Sequence, residues 1–123
     1  MGIAEIQPEV MFVSSSITDV KVYGKTPKTK IRAKTSNVQI GPVVYEFIQP
    51  LEGECLYKEY LDRKGEGIID LTFTVDDLDR EKAKLVEKGV PVIFSGKPRT
   101  RSAFAYFDTR KDGGDIMIKL MQR

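Results

Sequence analysis

The stretch from residue 68 to residue 121 constrains the fold more than any other, because it reads strand, helix, strand, strand, strand. Residues 68–75 (IIDLTFTV) place Ile69, Leu71, Phe73 and Val75 on one face at a period of two, the mark of a strand. A helix follows. Asp76 or Asp77 is a good N-cap, acidic residues fill the first turn, and Gly89 stands at the stop. Leu78, Leu85 and Val86 mark its inner side, with the aliphatic stem of Lys82 along it. Strands are expected at 91–95, 102–108 and 115–121, with Asp112-Gly113-Gly114 as a tight turn between the last two.

The first half reads strand, strand, strand, short helix. Residues 10–23 predict one long or broken strand, and 24–28 a turn in which Pro27 cannot donate to a ladder. Residues 29–35 alternate, as a strand with one wet face does, and 43–49 (VVYEFIQ) form a more buried strand ended by Pro50. Leu56, Tyr57, Tyr60 and Leu61 recur at helical spacing, giving a helix over 54–63 that Gly65 and Gly67 close. This is the unit of the second half with its opening strand and helix missing. The expectation is an α+β fold in which paired βαβββ-type modules form a curled mixed sheet. The chain is read as one domain, residues 1–123, with an incomplete first module at 10–66 and a complete second one at 67–122.

What the chain lacks narrows its chemistry. It has no histidine at all, which removes His-rich zinc sites and Ser-His or Cys-His nucleophile systems. One cysteine, Cys55, cannot form an internal disulfide, and it reads as a small packing residue. A net charge of +2 makes no demand for nucleic acid. No apolar run reaches the roughly 18 residues of a membrane span, and the N-terminus has neither a basic start nor a long apolar stretch. No membrane partner is therefore expected, and the cytoplasm is the expected location.

Three stretches carry a resemblance to a known family: GPVVYEFIQPLEGE at 41–54, KGEGIIDLTFTVDDLD at 64–79 and FAYFDTRKDGGDIMIKLMQ at 104–122. Together they resemble the vicinal oxygen chelate (glyoxalase/bleomycin-resistance/dioxygenase) superfamily, in the manner of methylmalonyl-CoA epimerase-like and glyoxalase I-like proteins. The similarity spans about residues 18–122. It implies two modules curled into a cup that holds a divalent metal on ligands from four strands. The strand that supplies the first histidine has no counterpart here. Glu46 matches the Glu or Gln of the first module's last strand. Asp70 stands where the second module's histidine would be, and Lys119 stands where the final strand would supply a glutamate.

A cation in that position repels a divalent metal. By the parity of strands, Glu46 shares a face with Val44 and Ile48, Asp70 with Thr72 and Thr74, and Lys119 with Met117 and Met121. The expectation is that Lys119 fills the vacated metal position and pairs with Glu46, Asp70 or both. The favoured function is a degenerate, metal-free site that binds a small anionic or thioester-type molecule in the cup. The alternatives are an active lyase or isomerase and a non-catalytic dimeric binding or structural protein. In the enzyme reading Glu46, Asp70 and Lys119 are catalytic, and Glu46 and Asp70 hold Mg, Mn, Co, Ni or Zn. Whether the chain is an enzyme stays open at this point. Candidate ligand contacts are Tyr45, Tyr57, Thr72, Arg101, Tyr106 and Met117, whereas Phe47, Phe73 and Phe104 are expected in the core. The run KPRTR at 97–101 is the best candidate for touching phosphate. A sheet edge left bare by the missing strand invites pairing, so a homodimer is expected.

Overall fold

The computed structural model describes residues 4–6, 10–13, 17–99, 102–110 and 116–123. Among these the order of elements is β1 (Ala4–Ile6), β2 (Val10–Val13), β3 (Ile17–Val22), β4 (Arg32–Ile40), β5 (Val43–Glu52), α1 (Leu56–Lys64), β6 (Asp70–Val75), α2 (Leu78–Glu87), β7 (Val92–Pro98), β8 (Phe104–Phe107) and β9 (Met117–Gln122). The expected turn at 112–114 lies outside the described residues. No helix is long and apolar enough to cross a membrane.

The β-branched and aromatic run of residues 43–49 makes β5 a long strand. It folds back on β4 through the two-residue turn Gly41-Pro42. Gly41 has φ +57, as a type II′ hairpin requires at its first central position. The other edge of β4 carries β1 and β2, both antiparallel to it. The second sheet runs β3-β7-β8-β9-β6, antiparallel except for the parallel β6–β9 pair. The segment read as one long or broken strand is broken, with β2 in the first sheet and β3 in the second. The curled α+β architecture results; among the described residues β5 lies at one edge of the first sheet opposite β1 and β2, and β6 at one edge of the second opposite β3.

Two apolar clusters hold it. One lies inside the curl, where Ile31, Tyr57, Phe94, Phe104, Tyr106 and Met117 pack. Phe94 and Tyr106 are fully buried, each contributing about 2–3 kcal/mol from removal of apolar surface. The other lies under α2, where Leu78 and the half-buried Leu85 meet Ala105, Phe107 and Leu120. Asp77 is the N-cap of α2, its carboxylate accepting from the Arg80 amide at 3.0 Å.

The structure corrects several expectations. β4 continues to Ile40, beyond residue 35. β5 runs past Pro50, whose nitrogen can face the free margin, where a missing N–H breaks no ladder bond. Helix α2 lies over β8 and β9 rather than over β6. Leu71 and Phe73 are therefore half exposed instead of forming a buried face, as is Val86 on α2. Phe47, expected in the core, is 62% exposed, whereas Phe104 is buried as expected.

Candidate functional site

Lys119 projects from β9 into the curl. Its neighbours across the ladders are Tyr106 on β8 and Thr72 on β6. The ammonium Nζ stands 5.1 Å from the centre of the Tyr106 ring and 5.4 Å from that of Phe104. The rings present their negative faces to the charge. The side chain is only 12% exposed, and Glu46 Oε1 on β5 lies 3.9 Å from Nζ. At that separation the pair attracts without a hydrogen bond. The ammonium thus rests on an aromatic floor with a loose carboxylate at its side.

The floor is fixed from below. Tyr57, brought in by the first turn of α1, is hydrogen-bonded hydroxyl to hydroxyl with Tyr106 at 2.8 Å, and the two rings meet edge to face. Burial pushes both phenols well above their usual range, so they remain neutral donors and acceptors. Asp70 opens β6 beside this floor. It accepts from the Thr72 hydroxyl at 2.9 Å. Burial raises its carboxyl, while the Thr72 bond and the charge of Lys119 pull it back down.

Asn37 of β4 sits directly across from Glu46, which puts both side chains on the same, inward face. Its Oδ1 is buried and has no hydrogen-bond partner among the described residues. A buried acceptor without a donor costs about 1–3 kcal/mol. A donor group delivered by a ligand at this level of the cup would remove that cost.

The donor set does not suit a divalent metal. Among the described residues no three of Asp, Glu, His and Cys converge. Glu46 already faces an ammonium, and a like charge at that distance opposes a cation.

Glu46, Asp70, Thr72 and Lys119 are thus brought to one face, over Tyr57 and Tyr106. Met117 forms part of the buried floor at 1% exposure. Tyr45 is a correction. It pairs with Val38 in the alternate register and points to the outer face of the hairpin, because neighbours of Glu46 in the chain must face away from it. Arg101 lies outside the described residues. Lys97 pairs with Thr18 on the β3–β7 ladder, away from these side chains. Asn37 escaped the sequence reading, and Phe104 was read as core rather than as part of the floor beneath Lys119. Strand parity is the signal that could have found them, once β4–β5 and β8–β9 are aligned.

A second polar group ties the fold rather than opening a site. Tyr23 donates to Glu59 at 2.6 Å, and Arg110 grips Asp108 with Nε at 2.8 Å and a second nitrogen at 2.9 Å. The first bond joins the end of β3 to α1, and Arg110, which also interacts with the Tyr23 hydroxyl, brings the segment after β8 to the same group. The Arg110 guanidinium holds the Asp108 carboxyl below its usual range. Two open hollows, of about 510 and 700 Å³, lie beside β3 and beyond the end of α2. Neither is lined by Glu46, Asp70 or Lys119.

Residues 10–107 match the model of the Glyoxalase/Bleomycin resistance protein/Dioxygenase superfamily. The chain belongs to this superfamily. Solved structures agree on the fold. A hypothetical protein from Bacillus halodurans C-125 superposes with a TM-score of 0.61 at 18% identity, over 74% of this chain and 67% of that one. Methylmalonyl-CoA epimerase from Mycobacterium tuberculosis superposes with a TM-score of 0.59 at 22% identity, over 73% and 62%. The match therefore spans about two thirds or less of the length of each of these solved structures. No curated protein matches it.

Proposed function

We propose that this superfamily member binds a small molecule in its cup without a metal, with Lys119 as the electrostatic anchor. The observation that carries the reading is the mounting of Lys119. A nearly buried ammonium lies over two rings, and its closest counter-charge is held too far for a hydrogen bond. A carboxylate or thioester carbonyl oxygen of the ligand takes the place of Glu46 at Nζ. Glu46, with its side chain 34% exposed, turns toward solvent. Asn37 Oδ1 accepts from an N–H or O–H of the same molecule. The ligand class is a small acyl compound with an anionic or carbonyl end and a donor group.

Isothermal titration with methylmalonyl-CoA, acetyl-CoA and their free acids tests this. At least one acyl compound is expected to bind, at least tenfold more weakly to Lys119→Met, since a charge-assisted bond contributes about 1.5–3 kcal/mol. Tyr45→Ala, on the opposite face, leaves the affinity unchanged. Binding that ignores Lys119→Met contradicts the reading.

Asp70 supports a second reading, an isomerase. Burial moves its carboxyl toward the range useful to a general base. Such an enzyme exchanges the α-hydrogen of methylmalonyl-CoA with D2O, and Asp70→Asn stops the exchange. Absence of exchange with bound thioester leaves the binding reading alone.

A further inference from the structure

Positive charge is concentrated in one stretch of the chain. Residues 17–34 hold six lysines and arginines against a single acid, Asp19, in a chain whose net charge is only +2. The fold turns part of this stretch into a hollow. Tyr23 and Gly24, with φ +51 and φ +76, form the two-residue turn after β3 that needs a positive φ at both positions. Val22 and Lys25 close the turn with backbone bonds of 2.8 and 3.1 Å. The pairing goes no further than this single bridge, and Pro27, without an N–H, could not extend it. The chain bends away instead. It leaves an open hollow of about 510 Å³ beside β3, between the strand and residues 26–30.

Three ammonium groups bound this one concavity, those of Lys21, Lys28 and Lys30. None of the three has a carboxylate partner among the described residues. A cleft lined by one sign of charge focuses its field on whatever enters. Lys21 Nζ donates to Thr26 Oγ1 at 2.9 Å. A hydroxyl that accepts in this way keeps its own proton for another acceptor, so Thr26 offers a donor beside the lysines. Asp19 is the one acid in the wall. It sits at the bulge in the β3–β7 pairing, with φ +53. Ile17 and Pro27, both half-buried, add an apolar surface.

We propose that this hollow is a second binding site, distinct from the cup, and that it takes a nucleoside diphosphate or triphosphate. Each part of the wall has a matching part of that ligand. Three ammoniums exceed what a single carboxylate can use and suit a chain of phosphates, for which lysine serves as a point-charge binder. Asp19 accepts from the ribose hydroxyls, and it repels a bare phosphate anion that brings no donor. Ile17 and Pro27 meet the face of the base. The volume falls in the range of about 300–1,000 Å³ that small-ligand sites occupy. The site does not depend on the chemistry of the cup. β3 and β9 are three strand spacings apart in the sheet, roughly 14 Å.

Isothermal titration in magnesium-free buffer at low salt tests the proposal, with ADP, pyrophosphate and adenosine as probes. ADP should bind one-to-one with a Kd below about 1 mM, pyrophosphate more weakly, and adenosine without measurable heat. Lys28 and Lys30 are exposed, so Lys28→Glu combined with Lys30→Glu should keep the parent's circular dichroism spectrum and lose at least about tenfold in ADP affinity. Lys84→Glu combined with Lys88→Glu makes the same change in net charge on and beside α2. It should alter the affinity by no more than about twofold, because charges beyond a Debye length are screened. Asp19→Asn should weaken ADP and tighten pyrophosphate. Lys119→Met, in the cup, should leave ADP binding as it is. A parent that gives no saturable heat with ADP overturns the proposal, as does an equal loss in the α2 pair. Loss of ADP binding in Lys119→Met overturns it too, by moving the nucleotide to the cup. ADP binding that ignores Asp19→Asn overturns the ribose contact. A DNA duplex held more tightly than ADP by the same lysines makes this a nucleic-acid face, which overturns the small-ligand site.

Discussion

The two halves of the curl use similar strands to opposite ends. On the second-half side, β8 and β9 are packed on both faces. Tyr106 and Met117 point into the curl, and Phe107 and Leu120 lie under α2. On the first-half side, the β4–β5 hairpin is packed on its inner face alone, through Ala33 and Ile48, and its outer face stands bare. The sequences do not differ much in apolar content: VVYEFI in β5 carries a single charged residue and FAYF in β8 none. The difference lies in what covers them. A strand's composition says that it suits a pleated surface, whereas burial is decided by the partner layer. The functional groups divide in the same way. The rigid half supplies Lys119 and its aromatic floor, and the open half supplies Glu46 and Asn37.

The sharpest way to break this comparison is to truncate an aromatic ring on each side. Phe107→Ala, in the fully buried position under α2, should lose about 3–5 kcal/mol in urea unfolding. Phe47→Ala should change stability by no more than about 0.5 kcal/mol. Equal losses would mean that the hairpin is buried in solution.

Deleting one oxygen from the floor is the next test. Tyr106→Phe leaves the Tyr57 hydroxyl buried and unpaired, which should cost about 1–3 kcal/mol. Asp77→Ala probes the helix that covers one half alone. Loss of its bond to the Arg80 amide should cost about 1 kcal/mol, also by urea unfolding.

The smallest effect is a pH dependence. Burial raises the Asp70 carboxyl above its value of 3.8 in the unfolded chain. The folded protein therefore binds that proton more tightly than the unfolded one, and this group's contribution falls as pH rises through the interval above 3.8. Asp70→Asn should be more stable than the parent at pH 7, with the difference vanishing below about pH 4. Thermal unfolding across this range measures it. A difference that grows toward acid pH would contradict the burial of Asp70.

Much of the second half was legible in the sequence. Asp77 and the apolar spacing after it marked α2, the period-two stretch at 68–75 marked β6, and β7 to β9 were expected close to where they lie. The facing of Glu46, Asp70 and Lys119 was implied by the superfamily resemblance, with strand parity saying which neighbours share each face. The bounds of β4 were less legible, because Ser36, Asn37 and Gln39 look like loop residues. They are strand residues because β5 and β1 pair with them. Three-residue β1 gave no periodic signal. The exposure of Leu71 and Phe73 was also hidden, since it depends on where α2 comes to rest. Tyr23 and Glu59 are 36 residues apart, so no local pattern could announce their bond. The floor beneath Lys119 became visible only with the β8–β9 register.

The central claim is that an ammonium on an aromatic floor occupies the place where a metal would have to bind. Isothermal titration of the protein with Ni²⁺, Co²⁺, Mn²⁺ and Mg²⁺ at pH 7 tests it most directly. The account predicts no saturable heat for any of the four with the parent chain. Saturable one-to-one binding that disappears in both Glu46→Gln and Asp70→Asn would contradict it.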